Sequence, residues 1–123
     1  MLFRSGLSAH FLIDHEGTIF KTKRTNLKAW HAKGHNTNSI GIELLVKGSW
    51  NYAGFLERIK QDYCTLEQMQ ALIELSNDII EYWSIDHDSI VRHSDIDPER
   101  KQDPGTGFDW SFYKSKLLNN GVD

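Results

Sequence analysis

Hydrophobic and polar residues alternate over residues 7–14, which predicts a β-strand with odd-numbered residues on one face and even-numbered residues on the other. Residues 14–17 follow as a turn in which Gly17 can adopt a positive φ angle, and residues 18–21 return as the hairpin partner. Residues 39–46 are almost all apolar, as in a central strand buried on both faces. The first part of the chain therefore predicts a β-sheet.

Helical spacing dominates the next part of the chain. Thr65 and Gln68 fit a capping box, in which the Thr hydroxyl and the Gln side chain both bind backbone amides at a helix start. The apolar residues that follow recur at helical spacing and predict a helix packed on the core: Leu66, Met69, Leu72, Ile73, Ile79, Ile80 and Trp83. Residues 48–63, just before this helix, are expected to form a long loop that contains aromatic residues.

The last third of the chain predicts shorter elements. Residues 89–92 are expected to form a short strand ending at His93, and residues 97–98 to start one helical turn as N-cap and first position. Asp109 is expected to cap a final helix that runs to about Leu118. The predicted fold class is α/β, a single mixed β-sheet with helices packed against it.

Size and composition fit one globular domain over residues 1–123, with 39% hydrophobic and 25% charged residues. The net charge is −3 and no Lys/Arg run stands out, which argues against a nucleic-acid partner. No apolar run is long enough for a membrane span, and the first residues lack the apolar core of a signal peptide. The chain as written is therefore expected in the cytoplasm, and a start further upstream would allow a periplasmic or secreted location. No local feature marks the lone Cys64 as an activated nucleophile.

Candidate chemistry is concentrated in one short loop that holds His93, Lys101 and Asp103. An imidazole and a carboxylate can hold zinc together, and zinc lowers the pKa of a water molecule and polarises a carbonyl oxygen. Lys101 could then stabilise the negative charge that builds on that oxygen. The alternative is that residues 103–105, Asp-Pro-Gly, form only a turn and that Lys101 is solvated. Spacing does not decide between the two.

Glu43 interrupts an otherwise apolar strand, and a buried carboxylate is costly unless it is paired or functional. It is a candidate general base for water activated by a metal, or else it lies at an edge with its side chain in solvent. Trp30 and His31 place an aromatic ring beside an imidazole. They can line a groove for a sugar or a peptide, or Trp30 can plug the sheet while His31 caps it.

Several segments, in this order, resemble the zinc-dependent N-acetylmuramoyl-L-alanine amidases, the type 2 amidase and peptidoglycan-recognition family. They are residues 8–17, 29–32, 38–43, 93–105 and 108–110. The resemblance implies hydrolysis of the amide between N-acetylmuramic acid and L-alanine in peptidoglycan or muropeptides. The roles it implies by position are His93 and Asp103 as zinc ligands, Lys101 as oxyanion stabiliser, Glu43 as catalytic carboxylate, and Trp30 and His31 as groove residues.

The family also has a third zinc ligand, a histidine on a strand before the Ser-Ala-His segment at residues 8–10, and residues 1–6 contain no histidine. Three explanations compete. The chain is N-terminally truncated, which we favour, or it is a degenerate module that binds muropeptides without cleaving them, or His10 or His31 supplies the ligand. Loss of the strand would leave an exposed sheet edge through which the chain could dimerise.

Overall fold

The computed structural model of the protein describes residues 10–21, 40–96, 98–99 and 102–118. Short strands precede the helices within these residues: β1 (Phe11–Ile13), β2 (Ile19–Lys21), β3 (Ile42–Leu44), α1 (Tyr52–Arg58), α2 (Leu66–Trp83), α3 (His93–Ile96) and α4 (Trp110–Ser115). A short 3-10 helix, His87–Ser89, lies between α2 and α3. No helix in this part of the chain is long and apolar enough to cross a membrane.

The strands form a mixed sheet in the order β2-β1-β3, which confirms the predicted fold class. β1 pairs antiparallel with β2 and parallel with β3, so β1 is the central strand of the described sheet. The expectation that residues 39–46 are buried on both faces is wrong, because Glu43 and Leu44 are only half-buried and Leu45 is exposed. Dimerisation through a sheet edge stays a prediction, since residues 1–9 and 22–39 lie outside the described residues.

The β1–β2 hairpin has the predicted turn. The Asp14 carboxylate accepts the backbone N–H groups of Glu16 at 3.0 Å and Thr18 at 2.8 Å. Gly17 has a φ angle of +86°, and a Cβ atom there would lie 2.8 Å from the carbonyl oxygen of Glu67. A glycine is therefore required at this position by both its conformation and the closeness of α2.

Gln68 joins the helix to the sheet. Its side-chain nitrogen donates to the carbonyl oxygens of Ile13 and Leu45, both at 2.9 Å. Thr65 caps α2 as predicted, because its hydroxyl oxygen accepts the backbone N–H of Gln68 at 3.0 Å. The other half of the capping box is wrong, since the Gln68 amide binds the ends of β1 and β3 instead of the helix start. These hydrogen bonds hold α2 in a fixed position against the sheet.

The predicted apolar stripe of α2 is confirmed along its middle, where residues lie in the core or pack against it: Met69, Leu72, Ile73, Ile79 and Ile80. It is wrong at both ends, because Leu66 is 84% and Trp83 is 42% exposed. These are the first and last residues of the helix, and the core cluster of described residues does not extend to either.

Other boundaries differ from the sequence prediction. The expected loop over residues 48–63 contains α1, whose N-cap residue Asn51 accepts the backbone N–H of Gly54 at 2.7 Å. The structure has a helix, α3, just before residues 97–98. The helical turn expected to start there stays a prediction, since its N-cap residue Asp97 is outside the described residues. Asp109 caps α4 as predicted, accepting the N–H of Phe112 at 3.0 Å, although the helix ends at Ser115.

Candidate functional site

His93 begins α3, and its side chain is only 1% exposed. The strand predicted over residues 89–92 is wrong, because Ser89 ends a 3-10 helix and the Ile90 carbonyl oxygen is bound by a side chain instead of a neighbouring strand. The ammonium of Lys114 donates to the carbonyl oxygens of His87 at 2.6 Å and Ile90 at 3.0 Å. The backbone that leads to His93 is therefore held in place by α4 rather than by pairing in the sheet.

The first turn of α3 is closed by an ion pair. Both the Nε and the Nη2 atoms of Arg92 lie 3.0 Å from the Asp95 carboxylate, which also accepts the Arg92 backbone N–H at 3.0 Å. Burial raises the pKa of Asp95, but the hydrogen bonds and charge of Arg92 outweigh it and hold that pKa below its ordinary value. The backbone on either side of His93 is thus tied down.

Asp103 faces the imidazole of His93. The Nδ1 atom of His93 lies 3.0 Å from Oδ1 and 3.2 Å from Oδ2 of the carboxylate. The backbone N–H of Ser94 donates to the Asp103 carbonyl oxygen at 3.1 Å, which joins the loop to α3. Burial raises the pKa of Asp103, but its hydrogen bond with His93 and the charge of that imidazole hold the pKa below its ordinary value. Asp103 is therefore an ionised carboxylate directed at a ring nitrogen.

The loop after Asp103 is packed against the end of α1. The N–H of Gly107 donates to the carbonyl oxygen of Ile59 at 2.8 Å. Gly105 has a φ angle of +82°, and a Cβ atom there would overlap the Ile59 backbone. The Tyr63 hydroxyl donates to the Pro104 carbonyl oxygen at 2.8 Å. Burial raises the pKa of Tyr63, so its hydroxyl keeps the proton that it donates.

Glu43 lines the same cavity as His93 and Asp103, together with Tyr63 and residues of α1. β3 carries it there, in register with Leu12 of the neighbouring strand. The alternative of a solvent-exposed edge position is not supported, since the side chain is half-buried at the cavity wall. The cavity volume of about 110 Å³ is small beside the roughly 300–1,000 Å³ typical of ligand pockets. It suits a metal ion and a reacting group, and a larger substrate must extend beyond it.

The His93–Asp103 pair fits part of a zinc site. Two donor atoms of a tetrahedral zinc lie about 3.4 Å apart when each bond is about 2.1 Å, close to the observed separations of 3.0 and 3.2 Å. The buried Nε2 atom of His93 has no hydrogen-bond partner among the described residues. Such an orphaned nitrogen is uncommon, and a histidine that binds zinc usually donates its other ring N–H to a carboxylate, a carbonyl or water. The described residues supply no such partner for His93.

The described residues do not complete the ligand set, since they contain no cluster of three or more His, Cys, Asp or Glu side chains suited to a metal. His10 is fully buried, and its Nδ1 atom accepts the backbone N–H of Gly41 at 3.1 Å. That nitrogen is therefore engaged by the sheet and is unsuited to zinc. Of the other candidate residues, Lys101, Trp30 and His31 lie outside the described residues, so their expected roles stay predictions.

Two residues near the site were not found by sequence reasoning. Tyr63 supports the loop that carries Asp103, and Tyr52 lines the cavity from α1. The tyrosine that follows Asn51 could have been placed on a helix, because asparagine is a preferred N-cap residue. No local signal marks Tyr63, whose hydrogen bond joins residues 41 positions apart.

Residues 3–106 match the family model of N-acetylmuramoyl-L-alanine amidase. The 1,6-anhydro-N-acetylmuramyl-L-alanine amidase AmpD of Haemophilus influenzae is 36% identical over 94% of this chain and 61% of its own length. The N-acetylmuramoyl-L-alanine amidase AmiD of Escherichia coli is 41% identical over 76% of this chain and 34% of its own length. The chain thus spans less than two thirds of the length of these relatives.

Solved structures agree with these matches. The crystal structure of a selenomethionine AmpD derivative superimposes with a TM-score of 0.73 at 32% identity, over 90% of this chain and 60% of that one. The Pseudomonas aeruginosa protein AmpDh3, crystallised in complex with an anhydromuramic pentapeptide, gives a TM-score of 0.73 at 28% identity, over 94% of this chain and 52% of that one. The chain belongs to the N-acetylmuramoyl-L-alanine amidase family.

Proposed function

We propose that the protein hydrolyses the amide between N-acetylmuramic acid and L-alanine in muropeptides, with a zinc ion held by His93 and Asp103. The observation that carries this proposal is the convergence of the His93 Nδ1 atom and both Asp103 carboxylate oxygens in a cavity that Glu43 also lines. Family membership supports it independently, since the related AmpD and AmiD proteins are named as amidases.

Each group at the site has a separate role in the proposed hydrolysis. When bound, zinc supplies a Lewis acid that polarises the scissile carbonyl and acidifies a water molecule. Glu43 takes a proton from the attacking water and gives it to the departing amine of L-alanine. The ammonium of Lys101 stabilises the negative charge on the carbonyl oxygen. The hydrogen bonds of the Ser94 N–H and the Tyr63 hydroxyl hold the Asp103 loop in position throughout.

The proposed substrate is a muropeptide fragment that carries an anhydromuramoyl residue. Supporting observations come from relatives: AmpD is named for 1,6-anhydro-N-acetylmuramyl-L-alanine, and AmpDh3 was crystallised with an anhydromuramic pentapeptide. We expect the protein to release intact stem peptide from such fragments.

The test uses the purified 123-residue chain loaded with zinc and mixed with an anhydromuramoyl tripeptide, with products followed by mass spectrometry. Release of the tripeptide, abolished by chelation and restored by zinc, supports the proposal. A folded, zinc-loaded chain that releases no peptide overturns it.

A second candidate is a binding module that holds muropeptides without cleaving them. The observation that favours it is the incomplete ligand set among the described residues. This module would bind the anhydromuramoyl tripeptide equally well with and without EDTA, and no peptide would be released. Binding that is lost in EDTA would exclude this candidate, because the metal would then be part of the recognition site.

A further inference from the structure

The Trp50 side chain is held in one orientation at the surface beside α1. Its indole N–H donates to the Lys47 carbonyl oxygen at 3.0 Å. Gly48 lies against the ring, since a Cβ atom there would be 3.0 Å from three indole atoms, and one on Gly54 would be 3.5 Å from another. Two glycines and a hydrogen bond therefore fix the ring.

This fixed ring takes no part in the hydrophobic core. Trp50 is absent from the core cluster of described residues and from the side chains packed against it. It is 44% exposed, and Tyr52 at the start of α1 is 60% exposed. Two exposed aromatic side chains two positions apart, of which Trp50 is held by specific contacts, are typical of a recognition surface rather than of packing.

The aromatic pair lines a groove that is continuous with the proposed active site. Glu43 and Tyr52 line both the cavity that contains His93 and the neighbouring groove that contains Trp50. The cavity itself is too small for a whole muropeptide. A substrate whose amide lies between Glu43 and His93 must therefore extend out of it, and the groove toward Trp50 is one path that the described residues provide.

We propose that Trp50 and Tyr52 form a stacking platform for an uncharged N-acetylhexosamine ring of the substrate, a proposal that rests on the proposed function. Glu43 is the charged side chain among the described residues that line the groove, so this wall offers no cation for the carboxylates of a stem peptide. A neutral sugar presents a C–H face that packs on aromatic rings and hydroxyl groups that remain in water. Charge therefore favours the sugar over the peptide as occupant.

The experiment measures binding of N,N′-diacetylchitobiose and of free stem tripeptide to the full chain by ligand-observed NMR, in EDTA. We expect Trp50→Ala and Tyr52→Ala each to weaken sugar binding by about fivefold to tenfold, with tripeptide binding unchanged. Trp50→Phe should keep most of the affinity. Trp83→Ala is the matched control, because Trp83 is also 42% exposed but lies at the end of α2.

Unchanged sugar binding in a folded Trp50→Ala variant, or loss of tripeptide binding instead, would overturn the platform. So would absence of sugar binding by the unaltered chain. Binding of the sugar and binding of the tripeptide are both measured without zinc and without turnover. Amide hydrolysis could therefore still be observed if the platform failed. Sugar binding could equally persist in a chain that cleaves nothing.

Discussion

The Nδ1 atom of His93 lies 3.0 Å from the Oδ1 atom of Asp103, with the imidazole buried and the carboxylate at the cavity wall. His93 begins α3, and Asp103 lies in a segment that is tied to α3, α1 and Tyr63. Because the backbone around each is fixed, the pair is held ready before any ligand binds. This preorganisation is what a metal site of adequate affinity requires.

Asp103→Ala should remove zinc affinity, since it takes away the carboxylate that faces His93. We expect zinc binding to weaken by more than about 100-fold, the upper range seen for the loss of supporting residues alone. Metal analysis after dialysis against a weak chelator measures this. Asp78→Ala, an exposed change on α2, is the control. An Asp103→Ala protein that retains its zinc would refute the ligand assignment.

Lys101→Ala should leave zinc bound and lower turnover, because the proposed ammonium acts on the carbonyl oxygen and not on the metal. A loss of about 10²–10³ in kcat is expected for one group that stabilises an oxyanion. Steady-state kinetics and metal analysis are performed on the same preparation. Lys60→Ala changes an exposed lysine that pairs with Glu57 and should have little effect. Equal kinetics in the two variants would argue against the role of Lys101.

Glu43→Gln should also keep zinc and lose activity, since the amide keeps the shape of the side chain but cannot accept a proton as a base. General-base residues contribute typically about 10²–10⁴ to the rate. The matched change is Glu57→Gln on the exposed side of α1. If Glu43→Gln turned over substrate at the normal rate, the residue would have a structural role at the cavity wall.

Local patterns in the sequence were enough to predict the hairpin, the Thr65 cap and the middle of α2. Each of these depends on residues close together in the chain: Asp14 binds amides within four positions, and Thr65 binds an amide three positions on. The α1 helix differs from the predicted loop because its aromatic residues lack a clear helical periodicity. Its signal is the Asn51 cap, which is also local.

The candidate site was predicted only in part because it depends on distant contacts. Family resemblance placed Glu43 with His93 and Asp103, and the structure brings these three residues to one cavity. Spacing alone could not show which imidazole nitrogen faces the carboxylate. Nor could it show that Tyr63 supports the Asp103 loop through Pro104, or that α4 rather than a strand positions His93 through Lys114.

Gln68→Ala should destabilise the fold, because the carbonyl groups of Ile13 and Leu45 each lose a hydrogen bond from its side chain. The Ile13 carbonyl keeps its hydrogen bond from the Leu45 N–H. A hydrogen bond contributes about 0.5–1.5 kcal/mol net, so loss of the two bonds should lower the free energy of unfolding by about 1–3 kcal/mol. Denaturant titration followed by circular dichroism measures it. Gln70→Ala removes an exposed amide from the same helix and should change stability by less than about 0.5 kcal/mol. Equal effects of the two substitutions would show that the hydrogen bonds of the Gln68 side chain add nothing to the stability of the fold.

Cys64 should react slowly while the protein is folded. Burial raises the pKa of its thiol to about 12, with the nearby charge of Asp62 adding to the effect. The thiolate is the reactive form, so at pH 8 its fraction is far lower than in an unfolded chain, where the pKa is about 8.5. We expect alkylation by iodoacetamide at pH 8 to be more than about tenfold slower in native protein than in guanidinium chloride. Equal rates would contradict the raised pKa of the thiol, and only a faster rate in the native protein would mark Cys64 as an activated nucleophile.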